Sequence, residues 1–148
     1  MLHLKKRKDN EKGATLVEFS IGITVFAMAM FAVLEFGRVL WAHNALTDAA
    51  RRGARYAALH AQADSASVKN VVVYGNAAGT GNPMLPNLTT DKVLVNYDGF
   101  GLNEGTVTVS IDQYQFQLVL PFTGAGIPMP SYSTTLTAEC AGLIPANV

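Results

Sequence analysis

The chain reads as an α+β protein, a long N-terminal transmembrane helix followed by a small antiparallel β-rich domain. Three observations carry this reading. Residues 14–34, ATLVEFSIGITVFAMAMFAVL, form an apolar run of 21 residues interrupted by one charge, Glu18. Residues 35–62 continue without a proline and are rich in alanine, both of which favour helix. Beyond residue 91 the pattern changes to a two-residue alternation of apolar and polar side chains, the period of half-buried strands.

The composition agrees. Hydrophobic residues make up 49 % of the chain and charged residues only 15 %, with a mean hydropathy of +0.21, and most of the excess lies in residues 14–34. A length of 148 residues leaves room for one modest domain. The formal net charge of zero hides an asymmetry. Residues 1–13 hold Lys5, Lys6, Arg7, Lys8 and Lys12 against Asp9 and Glu11, a local charge of +3 that the remainder balances with −3. A basic head before an apolar stretch keeps the N-terminus in the cytoplasm and sends the bulk of the chain across the membrane. No basic stripe of the kind that tracks phosphates is present, so no nucleic acid is expected as a partner.

The helix comes first. About 20 apolar residues at a rise of about 1.5 Å each are needed to cross the hydrocarbon core, and residues 14–34 suffice. A cleaved secretory signal, with its apolar region of about 7–15 residues, fits less well, because this run is longer, contains a carboxylate and continues into helical sequence. Further along, Ala42, Ala45, Ala49, Gly53, Ala57 and Ala61 step by three and four and so share one face of small side chains. Asp48 and Arg52 are spaced to pair at i,i+4, Glu35 and Arg38 at i,i+3, while Arg51 and Arg55 fall on the polar side. Trp41 suits the headgroup zone. The expected result is one helix of about 45–50 residues and about 70 Å, whose outer part packs on the domain or on other copies.

Strands are expected at 92–97, 106–111, 114–120 and 131–139, with a loop at 76–87 marked by Gly79, Gly81, Pro83 and Pro86. Asp98-Gly99-Phe100-Gly101 reads as a turn, and residues 121–130, with Gly124 and Gly126, as a second loop. Tyr114, Phe116, Leu118 and Leu120 share one strand face opposite Gln115 and Gln117. Such a sheet needs a cover, and the alanine-rich helix supplies one. The organisation is therefore a leader at 1–13, a transmembrane and extended amphipathic helix at 14–62, and an exported β-rich domain at 63–148.

The chemistry concentrates in Gly13-Ala14-Thr15-Leu16-Val17-Glu18-Phe19. A glycine lets a protease approach the backbone closely. A carboxylate inside hydrocarbon costs a few kcal/mol and is usually paired or functional, unless it snorkels to the interface. This segment resembles the processing site of type IV prepilins. The resemblance implies cleavage after Gly13 by a prepilin peptidase, leaving Ala14 as a new and methylatable amino terminus. It places Glu18 at the fifth mature position, where the amino terminus of a neighbouring subunit would neutralise it and set the axial register.

Together with Leu34-Glu35-Phe36-Gly37-Arg38 and residues 44–57, NALTDAARRGARYA, the pattern is similar to the TadE-like proteins, pseudopilins or minor pilins of Tad (tight adherence) pili. The likeness is strongest over residues 13–60, and Val72-Val73-Tyr74-Gly75 and residues 106–111 fit with lower specificity. It departs at Phe19, where the Tad major pilins carry a tyrosine. The chain is also far longer than those major pilins, which favours a minor subunit. The implied role is pilus assembly and surface adhesion. The implied partners are prepilin peptidase, other Tad pilins and pseudopilins, the assembly machinery and the lipid bilayer. The implied location is the bacterial inner membrane, with the N-terminus cytoplasmic, and the pilus outside the cell.

Other chemistries find little support. His3, His43 and His60 have no ligand companions at metal-binding spacing, and no G-x-S-x-G, P-loop, HExxH or paired catalytic carboxylates occur. No enzyme activity, metal or cofactor is expected. Gly79-Thr80-Gly81 is too short for a phosphate loop, and the glycosylation signal Asn87-Leu88-Thr89 is weak beside a bacterial-type leader. Cys140 is alone, which leaves a small buried residue or an intermolecular disulfide. The rival reading is a signal-anchored membrane protein with an exported ligand- or cell-wall-binding domain.

Overall fold

A computed structural model describes residues 11–60, 62–99, 105–119 and 126–137, with side chains from Gly13 onward. Helix α1 spans Glu11–Leu59, 49 residues without a break, as the sequence predicts. The chain divides into two compact units, Met1–Arg38 and Val39–Val148. In the first unit α1 is a bare apolar helix, and the Ser20 and Thr24 hydroxyls donate 2.7 Å hydrogen bonds to the carbonyls of Leu16 and Ser20.

The second unit holds the core. Its sheet has the order β1-β2-β5, all antiparallel, from β1 (Val93–Asp98), β2 (Thr106–Ile111) and β5 (Tyr132–Thr137). The alternation read from the sequence sets the burial. Val107, Val109 and Ile111 are buried, and in register Ile111 lies between Val93 and Tyr132. Ala42, Leu46, Ala49, Ala50, Ala54 and Ala57 of α1 join the same core, so the small-residue face is spent on packing within the unit. Ala61, expected on that face, lies outside the described residues, as do Leu120, Gly124, Glu139 and Cys140.

Gly53 shows how close that packing is. A Cβ placed there would lie 2.3 Å from Val72 Cγ2 and 3.2 Å from Val109 Cγ1, so only glycine lets α1 approach these two valines at once. A polar contact adds to the apolar ones, since His43 Nδ1 lies 2.8 Å from the Tyr132 hydroxyl and the two rings meet edge to face at 5.2 Å. At the far end of α1, His60 Nδ1 donates to the Tyr56 carbonyl at 2.8 Å and its ring stacks on Tyr56, occupying a carbonyl that the helix end would otherwise leave open.

Three features depart from the sequence reading. Helix α2 (Ser65–Tyr74) stands in the stretch assigned to a β-rich domain. Its SASVKNVVVY sequence carries β-branched valines and its N-cap makes no side-chain hydrogen bond, so burial of Val68, Val71, Val72 and Val73 overrides weak propensity. It ends on Gly75 in the left-handed conformation, with the Gly75 N–H bonded to the Val71 carbonyl. Secondly, residues 121–130 are not all loop. Strand β4 (Gly126–Pro128) pairs with β3 (Gln115–Gln117) in a separate two-stranded sheet, extended by a Met129 N–H bond to the Tyr114 carbonyl at 2.9 Å. Thirdly, the strand expected at 114–120 forms a ladder over only those three residues, although Tyr114 and Phe116 are buried and Gln115 and Gln117 exposed as the alternation requires.

The loop at 76–87 is ordered by its own polar groups. The Asn76 carboxamide accepts from the Thr80 N–H at 3.1 Å and donates to the Thr80 carbonyl at 2.8 Å, an Asx-type turn that Gly79 completes at φ +68°. Of the turn expected at 98–101, Gly99 has φ +64°, as such a turn needs, and Phe100 and Gly101 lie outside the described residues.

Candidate functional site

The segment singled out by sequence, residues 13–19, occupies the start of α1. Residues 1–10 of the expected leader, with His3, lie outside the described residues. Gly13 has no atom within 4 Å of where a Cβ would project, so its backbone is accessible from that side. Ala14 and Glu18, four residues apart on a continuous helix, share one face about one turn apart, and both are exposed. Phe19 follows at 66 % exposure, its ring unpacked.

The surroundings of Glu18 are apolar side chains held outward. Leu16, Val17, Ile21, Val25 and Phe26 are all exposed, and no residue of the most apolar 18-residue window of the helix is buried within the molecule. This is one helix long and apolar enough to cross a membrane, and it is compatible with single-pass anchoring. Inside lipid a hydroxyl must find an internal acceptor, and the back-bonding of Ser20 and Thr24 satisfies both. Among the described residues the ion pairs are Glu35–Arg38 and Asp48–Arg52, and neither involves Glu18.

In sequence, charged residues stand at both ends of the apolar stretch of α1. From Lys12 to Glu35 is 23 residues, about 35 Å at the standard rise, against a hydrocarbon core of about 30 Å. Glu18 lies six residues beyond Lys12, about 9 Å along the axis. Glu35 ends the uncharged run paired to Arg38 at 2.6 Å, the i,i+3 pair expected there. Its side chain is 9 % exposed, so Glu35 is a charged group held in place, whereas Glu18 is offered outward.

The remaining sequence-flagged groups sit in the second unit. Arg51 and Arg55 are exposed, and Arg52 contacts Asp48 at 3.5 Å and the Met84 sulfur at 3.0 Å, a contact across 32 residues that spacing alone does not reveal. Trp41 is exposed, three residues past Arg38. His43 and His60 serve the packing contacts described above. Among the described residues no three or more His, Cys, Asp or Glu side chains gather where they could hold a metal ion.

Comparison with known families picks out the same segment. Residues 13–55 match the family model described as TadE-like protein. The N-terminal segment is TadE-like. The match begins at Gly13, takes in Glu18 and Phe19, and runs along α1 to Arg55, while α2 and both sheets lie beyond it. No curated protein and no solved structure gives a significant match.

Proposed function

We propose that this chain is a minor pilin or pseudopilin of a Tad-type pilus, contributing to pilus assembly and surface adhesion. The observation that carries the proposal is Glu18, an outward carboxylate on a bare apolar helix inside a TadE-like segment that begins at Gly13. In this reading the N-terminus is cytoplasmic and the second unit is exported across the bacterial inner membrane. A prepilin peptidase cuts after Gly13, where the open surroundings admit a protease. The cut removes the basic leader and creates a positive amino group at Ala14.

Glu18 then has a partner of opposite charge. An acidic side chain at the centre of a spanning helix costs about 2.5–3.5 kcal/mol, and less near the edge. An amino terminus brought in by a neighbouring subunit offsets that cost only when the two helices meet at one axial offset. The acid therefore sets register as well as attraction. Phe19, beside it, offers lipid or a neighbouring helix an apolar ring without a hydroxyl.

N-terminal sequencing of the membrane-extracted protein tests the first step. From cells with active prepilin peptidase the protein should begin at Ala14, and Gly13→Ala or a larger substitution should block trimming. The second step is tested with Glu18→Leu, which should be trimmed yet reduce recovery in sheared pili by tenfold or more. A chain that keeps its leader beside an active peptidase would instead be a signal-anchored protein whose exported domain binds a ligand or the cell wall.

A further inference from the structure

The contact between Arg52 and Met84 joins a charged donor to a weak acceptor. Arg52 Nη2 lies 3.0 Å from the Met84 sulfur, and a thioether accepts hydrogen bonds poorly. The rest of the guanidinium fares no better. Its Nε is buried and makes no hydrogen bond among the described residues, and the Asp48 carboxylate stands off at 3.5 Å. A stronger acceptor at the sulfur would meet this demand.

Met84 is placed to gain one. Its backbone N–H donates to the Val73 carbonyl at 2.8 Å, and its sulfur lies 3.4 Å from where a Cβ on Gly75 would stand. The sulfur is thus held over the left-handed end of α2, yet the residue is 41 % exposed. The other described methionines are placed differently. Met129 is partly buried against the core, and Met28 and Met30 lie on the stretch of α1 apolar enough to cross a membrane, away from water-borne reagents.

We propose that Met84 is a site of reversible oxidation by hydrogen peroxide, and that its sulfoxide clamps Arg52 across the second unit. In the reaction a sulfur lone pair attacks one peroxide oxygen. The S–O bond forms, the O–O bond breaks, and the departing oxygen takes the proton of the transferred one and leaves as water. The thioether loses two electrons and the peroxide gains them. A dithiol-dependent methionine sulfoxide reductase reverses the step, its dithiol becoming a disulfide and the oxygen leaving as water.

The product has what the thioether lacks. A sulfoxide oxygen accepts well, and its hydrogen bond to a guanidinium is charge-assisted, roughly twice as strong as a neutral one. That oxygen stands one bond out from the sulfur, so the guanidinium must draw back, and the Arg52 side chain, 35 % exposed, has room to do so. The contact between α1 and the loop at 76–87, across 32 residues of sequence, then changes from weak to strong. Oxidised methionines in a core loosen it because a polar group enters apolar surroundings. Here the sulfur meets a cation near the surface, and the effect has the opposite sign. This chemistry does not depend on the chain's place in a pilus.

The test treats the full chain, in detergent micelles, with hydrogen peroxide, and follows peptide masses and the thermal midpoint of the second unit. Met84 should gain about 16 Da at a rate about fivefold or more above that of Met129. The midpoint should rise by about 3 °C or more. Methionine sulfoxide reductase with dithiothreitol should return both mass and midpoint. Met84→Leu should show no rise under peroxide, which separates Met84 from Met28 and Met30. Arg52→Gln should still be oxidised at Met84 but gain no stability. Equal rates at Met84 and Met129, a midpoint that holds or falls when Met84 is oxidised, or the same rise in either variant would overturn the proposal.

Discussion

Two stretches of α1 place apolar residues in opposite environments. Before Arg38 the large apolar side chains are exposed, Leu16 by 67 %, whereas after Val39 the face carrying Ala42, Leu46, Ala49 and Ala57 is wholly buried. The first stretch uses bulky residues all round the helix and the second confines small ones to a stripe. A helix apolar on every side suits a solvent that is itself apolar, while a stripe of alanines suits close contact with a sheet. Secondary structure alone does not separate these cases. Side-chain size and angular distribution do.

The largest test of this contrast is truncation. Leu46→Ala should destabilise the second unit by about 2–5 kcal/mol, because it empties a fully buried site. Leu16→Ala should change it by less than about 0.5 kcal/mol. Chemical denaturation in detergent, followed by near-ultraviolet circular dichroism, compares the two. Should Leu16→Ala prove as damaging, the first stretch would be packed and not bare.

Adding a methyl group sharpens the same comparison. Gly53→Ala gains about 1 kcal/mol of helix preference, but its Cβ would overlap Val72 Cγ2, and overpacking costs about 1–3 kcal/mol or more. At 2.3 Å the clash wins, so a net loss is expected. Gly22→Ala meets no atom within 4 Å and should be neutral or slightly stabilising. Thermal midpoints of the two variants decide this.

A smaller effect is expected at the hydroxyl between α1 and β5. Tyr132→Phe removes the partner of His43 and should cost about 1 kcal/mol in the same denaturation experiment. The smallest effect is pH dependence. Burial raises the pKa of both Tyr97 and Tyr132 above the ordinary 10.0, with Asp64 adding to the shift at Tyr97 and Tyr114 at Tyr132. The neutral phenols are thus favoured by folding. Their contribution is complete below about pH 10 and is lost as pH rises through the folded values. Denaturant midpoints should hold level to about pH 9.5 and then fall, less steeply in Tyr132→Phe.

The sequence made α1 legible because length, absence of proline and small-residue spacing all pointed the same way. The three main strands were legible too, since Val107, Val109 and Ile111 alternate strictly with Thr106, Thr108 and Ser110. Helix α2 was not, because its valines favour strand and only tertiary burial makes it helical. Strand β4 was hidden by Gly126 and Pro128, breakers in most contexts but tolerated at the margin of a two-stranded pair. The segment at Gly13–Phe19 was read from side-chain chemistry, and the fold adds its exposure and its spacing on one helix. The Arg52–Met84 contact needed the fold itself, because it joins residues distant in sequence.

The back-bonded hydroxyls of Ser20 and Thr24 have a mechanical consequence. A carbonyl that accepts from a side chain as well as from the backbone holds its ladder partner less tightly, and helices flex where this happens. Leu16 and Ser20 supply those shared carbonyls, on either side of Glu18. Bending of α1 is thereby eased on either side of Glu18, as it is near His43, whose carbonyl accepts from Thr47 in the same way.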